Sequence, residues 1–332
     1  MLDPAVAATR LAVRTALSDV ADGSVVLVAL SGGADSLALA AATAHEARAR
    51  GIRVGAVTVD HGLQDGSDEI SRAAAGKAAD LGIDPLVVRV EVDGAGGLEA
   101  AAREARYGAL RDAAADADAA AVLLGHTLDD QAETVLLGLA RGAGATSLAG
   151  MAPSRTDDRG LRWLRPFLGL RRPVTRAACT ALGLEAWDDP HNADERFSRV
   201  RVRERVLPVL ETELGPGIAE ALARTAEQLR EDSAAFADMI DETIEDIVEH
   251  SEAGIAVSAA ALAANPPALR NRIIRHVVQS EFGIALTRVQ TLEVARLATE
   301  WAGQGPIDLP SCIAARRGGL IHFTARGADR PT

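Results

Sequence analysis

The sequence predicts an α/β protein: a doubly wound, mainly parallel sheet that binds a nucleotide, followed by a smaller, mainly helical C-terminal domain. Three observations predict it. Short β-branched runs alternate with alanine-rich, helix-favouring stretches through the first half. The first of those runs ends in a loop of glycines and serines, and a Gly-Pro-Gly break at 215–217 precedes a long amphipathic stretch. The 332 residues suit two units, placed at 1–214 and 218–332.

Strands are expected at residues 25–30, 52–59, 86–90 and 120–125, each short and apolar. Helices are expected at 37–50, 69–81, 98–115 and 129–139, with Gly51, Gly82 and Gly142 where C-terminal stops belong. Residues 151–160, rich in Pro, Ser, Asp and Arg, read as a loop. Beyond the break, helical patterns cover about 218–250 and 268–282, and short extended pieces fall around 307–309 and 320–323.

Composition removes several classes of function. A net charge of −12 argues against a nonspecific nucleic-acid coat, which needs a positive surface. No apolar run approaches the length of a membrane span, and Met1-Leu2-Asp3-Pro4 lacks the basic and apolar regions of a leader, so a cytoplasmic protein is expected. Cys179 and Cys312 lie far apart with no C-x-x-C partner, which leaves zinc and iron–sulfur sites short of ligands. Lys77 is the single lysine and reads as part of an exposed helix face, so neither Walker-type phosphate binding nor Schiff-base chemistry has its residue. The remaining basic residues are arginines, concentrated at 155–176 and 196–205; such runs suit a solvated face or an RNA backbone equally.

The strand at 25–30 runs into Ser31-Gly32-Gly33-Ala34-Asp35-Ser36 and then a helix. Glycines let backbone N–H groups close around an anion, serines add donors, and the helix N-terminus favours negative charge. That is a phosphate cradle. Asp35 would repel phosphates unless a divalent cation lay between them, which points to Mg²⁺. Two further strand ends carry Thr58-Val59-Asp60-His61 and Gly125-His126-Thr127-Leu128-Asp129-Asp130-Gln131-Ala132-Glu133-Thr134. A helix starting at 128 or 129 sets Asp130 and Glu133 one turn apart on one face. The pair could hold a cation, accept a proton from a nucleophile, or complement the helix N-terminus. His61 and His126 stand after strands of the same sheet, where open α/β sheets bind ligands.

The cradle resembles the signature of the PP-loop ATP pyrophosphatases, which cleave ATP between the α- and β-phosphates. Within that superfamily the segments at 59–63, 103–107 and 125–134, Arg141-Gly142-Ala143-Gly144, Leu164-Arg165-Pro166-Phe167, and Asp189-Pro190-His191-Asn192 with Phe197-Ser198-Arg199 resemble the tRNA(Ile)-lysidine synthetase family. The matches cover about residues 25–208 in the family's order. Gln64, His191-Asn192 and Val200 depart from the family's usual pattern, and the resemblance implies a member without the extra C-terminal domain of longer ones.

The resemblance implies ATP-dependent adenylation of the C2 oxygen of the wobble cytidine in tRNA(Ile) with a CAU anticodon, then displacement of AMP by free L-lysine. It implies that Ser31, Gly32, Gly33, Ala34, Asp35 and Ser36 bind ATP with Thr58, Val59, His61 and His126 nearby, and that Asp35 is a Mg²⁺ ligand. Asp130 and Glu133 would receive the lysine amine, and Arg106 would hold substrate or steady the charged intermediate. Arg165, Arg171, Arg172, Arg199, Arg201 and Arg203 are the candidate tRNA contacts; a homodimer is an assembly this reading allows. The absence of cysteine before Cys179 favours an amine acceptor over sulfur transfer. The alternatives are a PP-loop amidating ligase on a small molecule and a noncatalytic nucleotide sensor, the latter having no use for Asp35, Asp130 and Glu133 together.

Overall fold

The central strand of the sheet, β1 (Val25–Ala29), is apolar at every position because both of its faces are covered. Val26 and Val28 pack into one core and Leu27 into another, the alternation that a strand's period of two imposes. The computed structural model describes residues 2–62, 66–91, 98–142, 144–189, 194–251 and 254–326. It opens with α1 (Pro4–Ala16), capped by the Asp3 carboxylate, which accepts from the Ala5 and Val6 amides.

After β1 the chain forms α2 (Ala34–Arg48), β2 (Arg53–Asp60), α3 (Ser67–Asp80), β3 (Asp84–Arg89), α4 (Leu98–Asp116), β4 (Ala119–Leu123) and α5 (Leu128–Ala140). There follow a short α6 (Ala145–Leu148), β5 (Ser154–Thr156), β6 (Arg162–Leu164) and a 3₁₀ turn at Pro166–Gly169. Next come α7 (Arg172–Ala181), α8 (Ser198–Arg201), a π-helical turn at Val202–Val206, α9 (Leu207–Leu214) and α10 (Ile218–Ile247). The sheet order is β3-β2-β1-β4-β6-β5, with β5 the antiparallel strand, so the mainly parallel, doubly wound expectation holds. Order reverses direction on either side of β1, and the crevice beyond the carboxyl ends of β1, β2 and β4 is where such sheets take ligands.

The loop expected at 151–160 instead contains β5, half of a hairpin with β6. Asp157 organises its turn, accepting from the Arg159 and Leu161 amides at 3.1 and 3.0 Å and from the Trp163 indole at 3.0 Å. Turn-forming residues masked a strand too short to show a period.

The chain divides into two compact units, residues 1–230 and 231–332, so the division falls inside α10 rather than at 215–217. The cause is packing: Ala219 of α10 joins Leu128 and Ala132 of α5 and Leu207 of α9 in one apolar cluster. The second unit holds β7 (Val248–Ser251), β8 (Gly254–Ser258), α11 (Ala259–Ala264), α12 (Pro267–Phe282), α13 (Arg288–Thr299), β9 (Ile307–Asp308), β10 (Cys312–Arg317) and β11 (Leu320–Ala325). Its antiparallel sheet runs β7-β8-β11-β10-β9 and its core joins Ile273, Val277 and Val294 of the helices to Val257, Ile321 and Phe323 of the strands. The two extended pieces anticipated by sequence are β9 and β11; β8 and β10 were harder to read because alanine in both favours helix. Among the described residues no helix is long and apolar enough to cross a membrane.

Candidate active site

The loop after β1 is built as a cradle. Gly32 has φ +84°, a left-handed conformation that favours glycine. The Ser36 hydroxyl donates to the Gly33 carbonyl at 2.9 Å and lies 3.2 Å from both the Ser31 amide and the Ser31 hydroxyl, which folds the loop around its own serines. No side chain caps α2 at Gly33, so its first N–H groups face outward for an anion. Gly125 closes the other wall. A Cβ there would lie 3.2 Å from the backbone of Asp35 and Ser36, so any side chain would press the end of β4 against this loop.

Asp35 opens α2 beside Thr175 and Arg172 of α7. The Thr175 hydroxyl donates to its carboxylate and Arg172 Nε stands 3.5 Å from it. Burial, with Asp130 close by, pushes the Asp35 carboxyl up against the opposing pull of Thr175 and Arg172.

Asp130 and Glu133 do share a face of α5. Asp130 completes a capping box: its Oδ2 accepts from the Thr127 amide and hydroxyl, both at 2.8 Å. Its Oδ1 accepts from Arg172 at 3.0 Å, with Arg203 at 3.6 Å. Burial alone would raise this carboxyl, but Arg172, His126 and the Thr127 donors outweigh it and hold it below the usual range. Glu133 is fully buried. Arg203 grips it with a two-pronged fork at 2.7 and 3.1 Å, Arg172 adds a bond at 3.3 Å, and Arg199 stands 4.0 Å away. A cavity of about 150 Å³ borders Glu133 and is lined by Asp129, Arg171, Arg172, Arg203 and Glu211.

A second group of side chains has the opposite character. Thr58 Oγ1, His61 Nδ1, Arg106 Nε, His126 Nδ1 and Arg165 Nε are buried without a hydrogen-bond partner among the described residues. Burial and the nearby guanidinium groups push His126 down to about 3, against the pull of Asp130. Burial, then Arg106, also lowers His61, so both imidazoles are neutral near pH 7. Groups of this kind at the ends of β2 and β4 suit a polar ligand, as buried polar atoms are otherwise paired. Val59 is half-buried between Thr58 and Asp60.

The six arginines assigned to tRNA are placed differently from a phosphate-facing run. Arg165 is buried and donates to the Ala152 carbonyl at 2.9 Å. Arg172, Arg199 and Arg203 turn to the carboxylates of α5, and Arg171 pairs with Asp129 and Glu220 at 3.1 and 2.6 Å. Arg201 is exposed and its guanidinium donates to the carbonyls of Glu195 and Arg196. The sequence missed Gly125, Thr175 and the pairing role of Arg172 and Arg203; Gly125, the first residue of its motif, was the available signal. Of the positions that depart from the family pattern, Val200 is buried, while Gln64, His191 and Asn192 lie outside the described residues.

The PP-loop domain family matches residues 7–210, and the TilS substrate binding domain family matches residues 258–322. The tRNA(Ile)-lysidine synthase of Leifsonia xyli subsp. xyli is 58% identical over 305 residues, covering 91% of this chain and 90% of that protein. That of Thermobifida fusca is 52% identical over 317 residues, covering 95% of each. Among solved structures, the U34-tRNA thiolase NcsA from Methanococcus maripaludis superposes with a TM-score of 0.58 at 20% identity, covering 68% of this chain and 80% of that one, a likeness of fold. With a family match over most of the first unit, a second over the C-terminal unit and relatives above half identity along nearly the whole length, the chain belongs to the tRNA(Ile)-lysidine synthase family.

Proposed function

We propose that this chain ligates free L-lysine to C2 of the wobble cytidine of tRNA(Ile) bearing a CAU anticodon, with ATP converted to AMP and pyrophosphate, in the cytoplasm. One observation carries the reading: the glycine cradle and the carboxylates Asp35, Asp130 and Glu133 converge beyond the carboxyl ends of the central strands, linked through Arg172. A nucleotide sensor needs the cradle alone.

In the first half-reaction the cytidine O2 attacks the α-phosphorus of ATP and the bond to the β-phosphate oxygen breaks. Ser31–Ser36 amides and hydroxyls hold the departing pyrophosphate at the N-terminus of α2. Asp35 offers hard oxygen donors beside that loop, and Mg²⁺ is ordinarily held by one or two carboxylates together with substrate phosphates, so the residues fit it. When bound it would neutralise phosphate charge. In the second half-reaction the lysine amine attacks C2, the C2–O bond to AMP breaks, and the amine loses a proton. Asp130 and Glu133 orient the amine and accept the proton it loses, and Arg172 and Arg203, lying against both carboxylates, offset their mutual repulsion. Arg106, whose Nε has no partner among the described residues, would supply positive charge against that developing on the phosphate.

Incubation with ATP, radiolabelled lysine and tRNA transcripts tests this. Label should enter the CAU transcript and require ATP; ATP consumption with no lysine in RNA would overturn the assignment.

A further inference from the structure

Three arginines surround the single tyrosine of the chain. The Arg103 guanidinium lies 5.0 Å from the Tyr107 ring centre and donates to its hydroxyl at 3.3 Å, and Arg106 lies 5.7 Å from the same centre. The ring packs at 5.0 Å against Trp163, whose indole is fixed by Asp157, so the platform is rigid. Arg165 comes from the end of β6, 7% exposed; its guanidinium donates to the Ala152 carbonyl and reaches the Tyr107 hydroxyl, while its Nε has no partner among the described residues. Among the described residues no carboxylate lies within ion-pair distance of Arg103, Arg106 or Arg165, whereas those of α5 are already shared among Arg172, Arg199 and Arg203. A buried guanidinium without a counter-charge is costly and calls for an anion.

We propose that Arg165, with Arg106 and His126, forms an internal pocket that binds a phosphodiester group of the reacting RNA–nucleotide pair. This rests on the ligase reading and adds Arg165 to it as a binding residue rather than a surface tRNA contact. The donor geometry fits: planar guanidinium forks match phosphate oxygens two at a time, and a neutral His126 can donate without carrying charge. Burial is pushing the Tyr107 hydroxyl up while Arg103, Arg165 and Arg106 pull it down further, which marks the pocket as strongly positive. A phosphodiester occurs twice in the reaction: as the AMP link on the activated cytidine, and in the RNA backbone beside it. The shared chemistry is one oxyanion group, and the two sources separate experimentally.

The test uses the full chain, a CAU tRNA transcript and two variants, Arg165→Met and Arg165→Lys, with lysine incorporation by the unaltered protein as the control for the ligase reading itself. At saturating lysine, Arg165→Met should slow single-turnover AMP formation at least tenfold, Arg165→Lys should recover part of it, and the KM for lysine should stay within twofold. If the group is the RNA backbone, tRNA binding without ATP weakens and its log–log salt slope falls by about 0.7–0.9. If it is the AMP link, the slope holds and pyrophosphate formation slows instead. A rise in lysine KM alone would assign the pocket to the lysine carboxylate and overturn the proposal, as would unchanged rates in both variants. Should Arg165→Met fail to fold, Arg165→Lys keeps the charge but loses the fork, and a rate within twofold of the unaltered protein overturns the proposal. Failure of the control removes the ligase reading; direct titration with AMP then still shows whether Arg165 binds a phosphate ester.

Discussion

Two clusters stand side by side beyond the carboxyl ends of β1, β2 and β4, and they are balanced in opposite ways. Around α5, Asp130 and Glu133 are over-supplied with cations: Arg172 touches both, Arg203 reaches both, and Arg199 adds a third guanidinium. Around Tyr107, Arg103, Arg106 and Arg165 have no carboxylate among the described residues, and the two neighbouring histidines are neutral. The difference teaches that charge in the first cluster supports the fold as well as the chemistry, while charge in the second is stored against folding and released on binding. Substitutions in the two should therefore separate stability from activity.

The largest expected effect is on activity. Asp35→Asn should reduce ATP- and tRNA-dependent pyrophosphate release by two orders of magnitude or more, as roughly expected for loss of a charge-stabilising group at the phosphates. Because burial already holds the Asp35 carboxyl up, its ionised form opposes folding, and the variant should match or exceed the parent in urea midpoint. Retained pyrophosphate release would remove Asp35 from the phosphate site.

Next in size is stability. Glu133→Gln removes the fully buried carboxylate that Arg203 and Arg172 share, leaving Asp130 to balance both, and should cost about 3–5 kcal/mol in urea unfolding. Arg106→Met, which deletes a half-buried guanidinium that has no carboxylate partner among the described residues and whose Nε is unpartnered, should cost far less while still losing lysine incorporation. Equal destabilisation by the two would erase the contrast between the clusters.

A smaller effect concerns pH. His126 is held at about 3 in the folded chain against an ordinary 6.5, so between those values the unfolded chain binds a proton that the folded chain does not. Its contribution is present in full above 6.5 and is lost as pH falls toward 3, at up to about 1.4 kcal/mol per pH unit for one proton. His126→Gln should flatten the urea stability profile between pH 6 and 5 by nearly that slope. An unchanged profile would mean that His126 takes up its proton in the folded state. Smallest of all, exposed Arg201→Ala should alter the salt slope of tRNA binding by at most about 0.9, with stability within about 0.5 kcal/mol of the parent.

Much of this was legible in the sequence, for reasons that also explain what was not. The apolar runs of β1, β2 and β4 span both cores, so their composition shows directly as strand. The cradle was legible because glycine, serine and a carboxylate at a strand end admit few physical roles. Asp130 and Glu133 could be set on one face from helical spacing alone. Arg172 and Arg203 could not be matched to Glu133, since they lie 39 and 70 residues away and only the packing of α7 and the π turn brings them in. Arg165 read as one member of a basic run, yet its neighbours Trp163 and Leu164 place it at the end of a buried strand. Charge patterning reports a face only when the element carrying it lies at the surface, and β6 does not.

The central claim is that the carboxylates of α5 serve the amine and not the nucleotide. Asp130→Asn tests it most directly, followed by quench-flow measurement of pyrophosphate and AMP in a single turnover with CAU tRNA at low and saturating lysine. The account predicts a pyrophosphate burst close to that of the parent, with AMP release slowed at least a hundredfold and partly restored as lysine is raised, about the size expected when a group that accepts a proton in the transition state is removed. Equal loss of both products, insensitive to lysine, would contradict it and place Asp130 at the phosphates with Asp35.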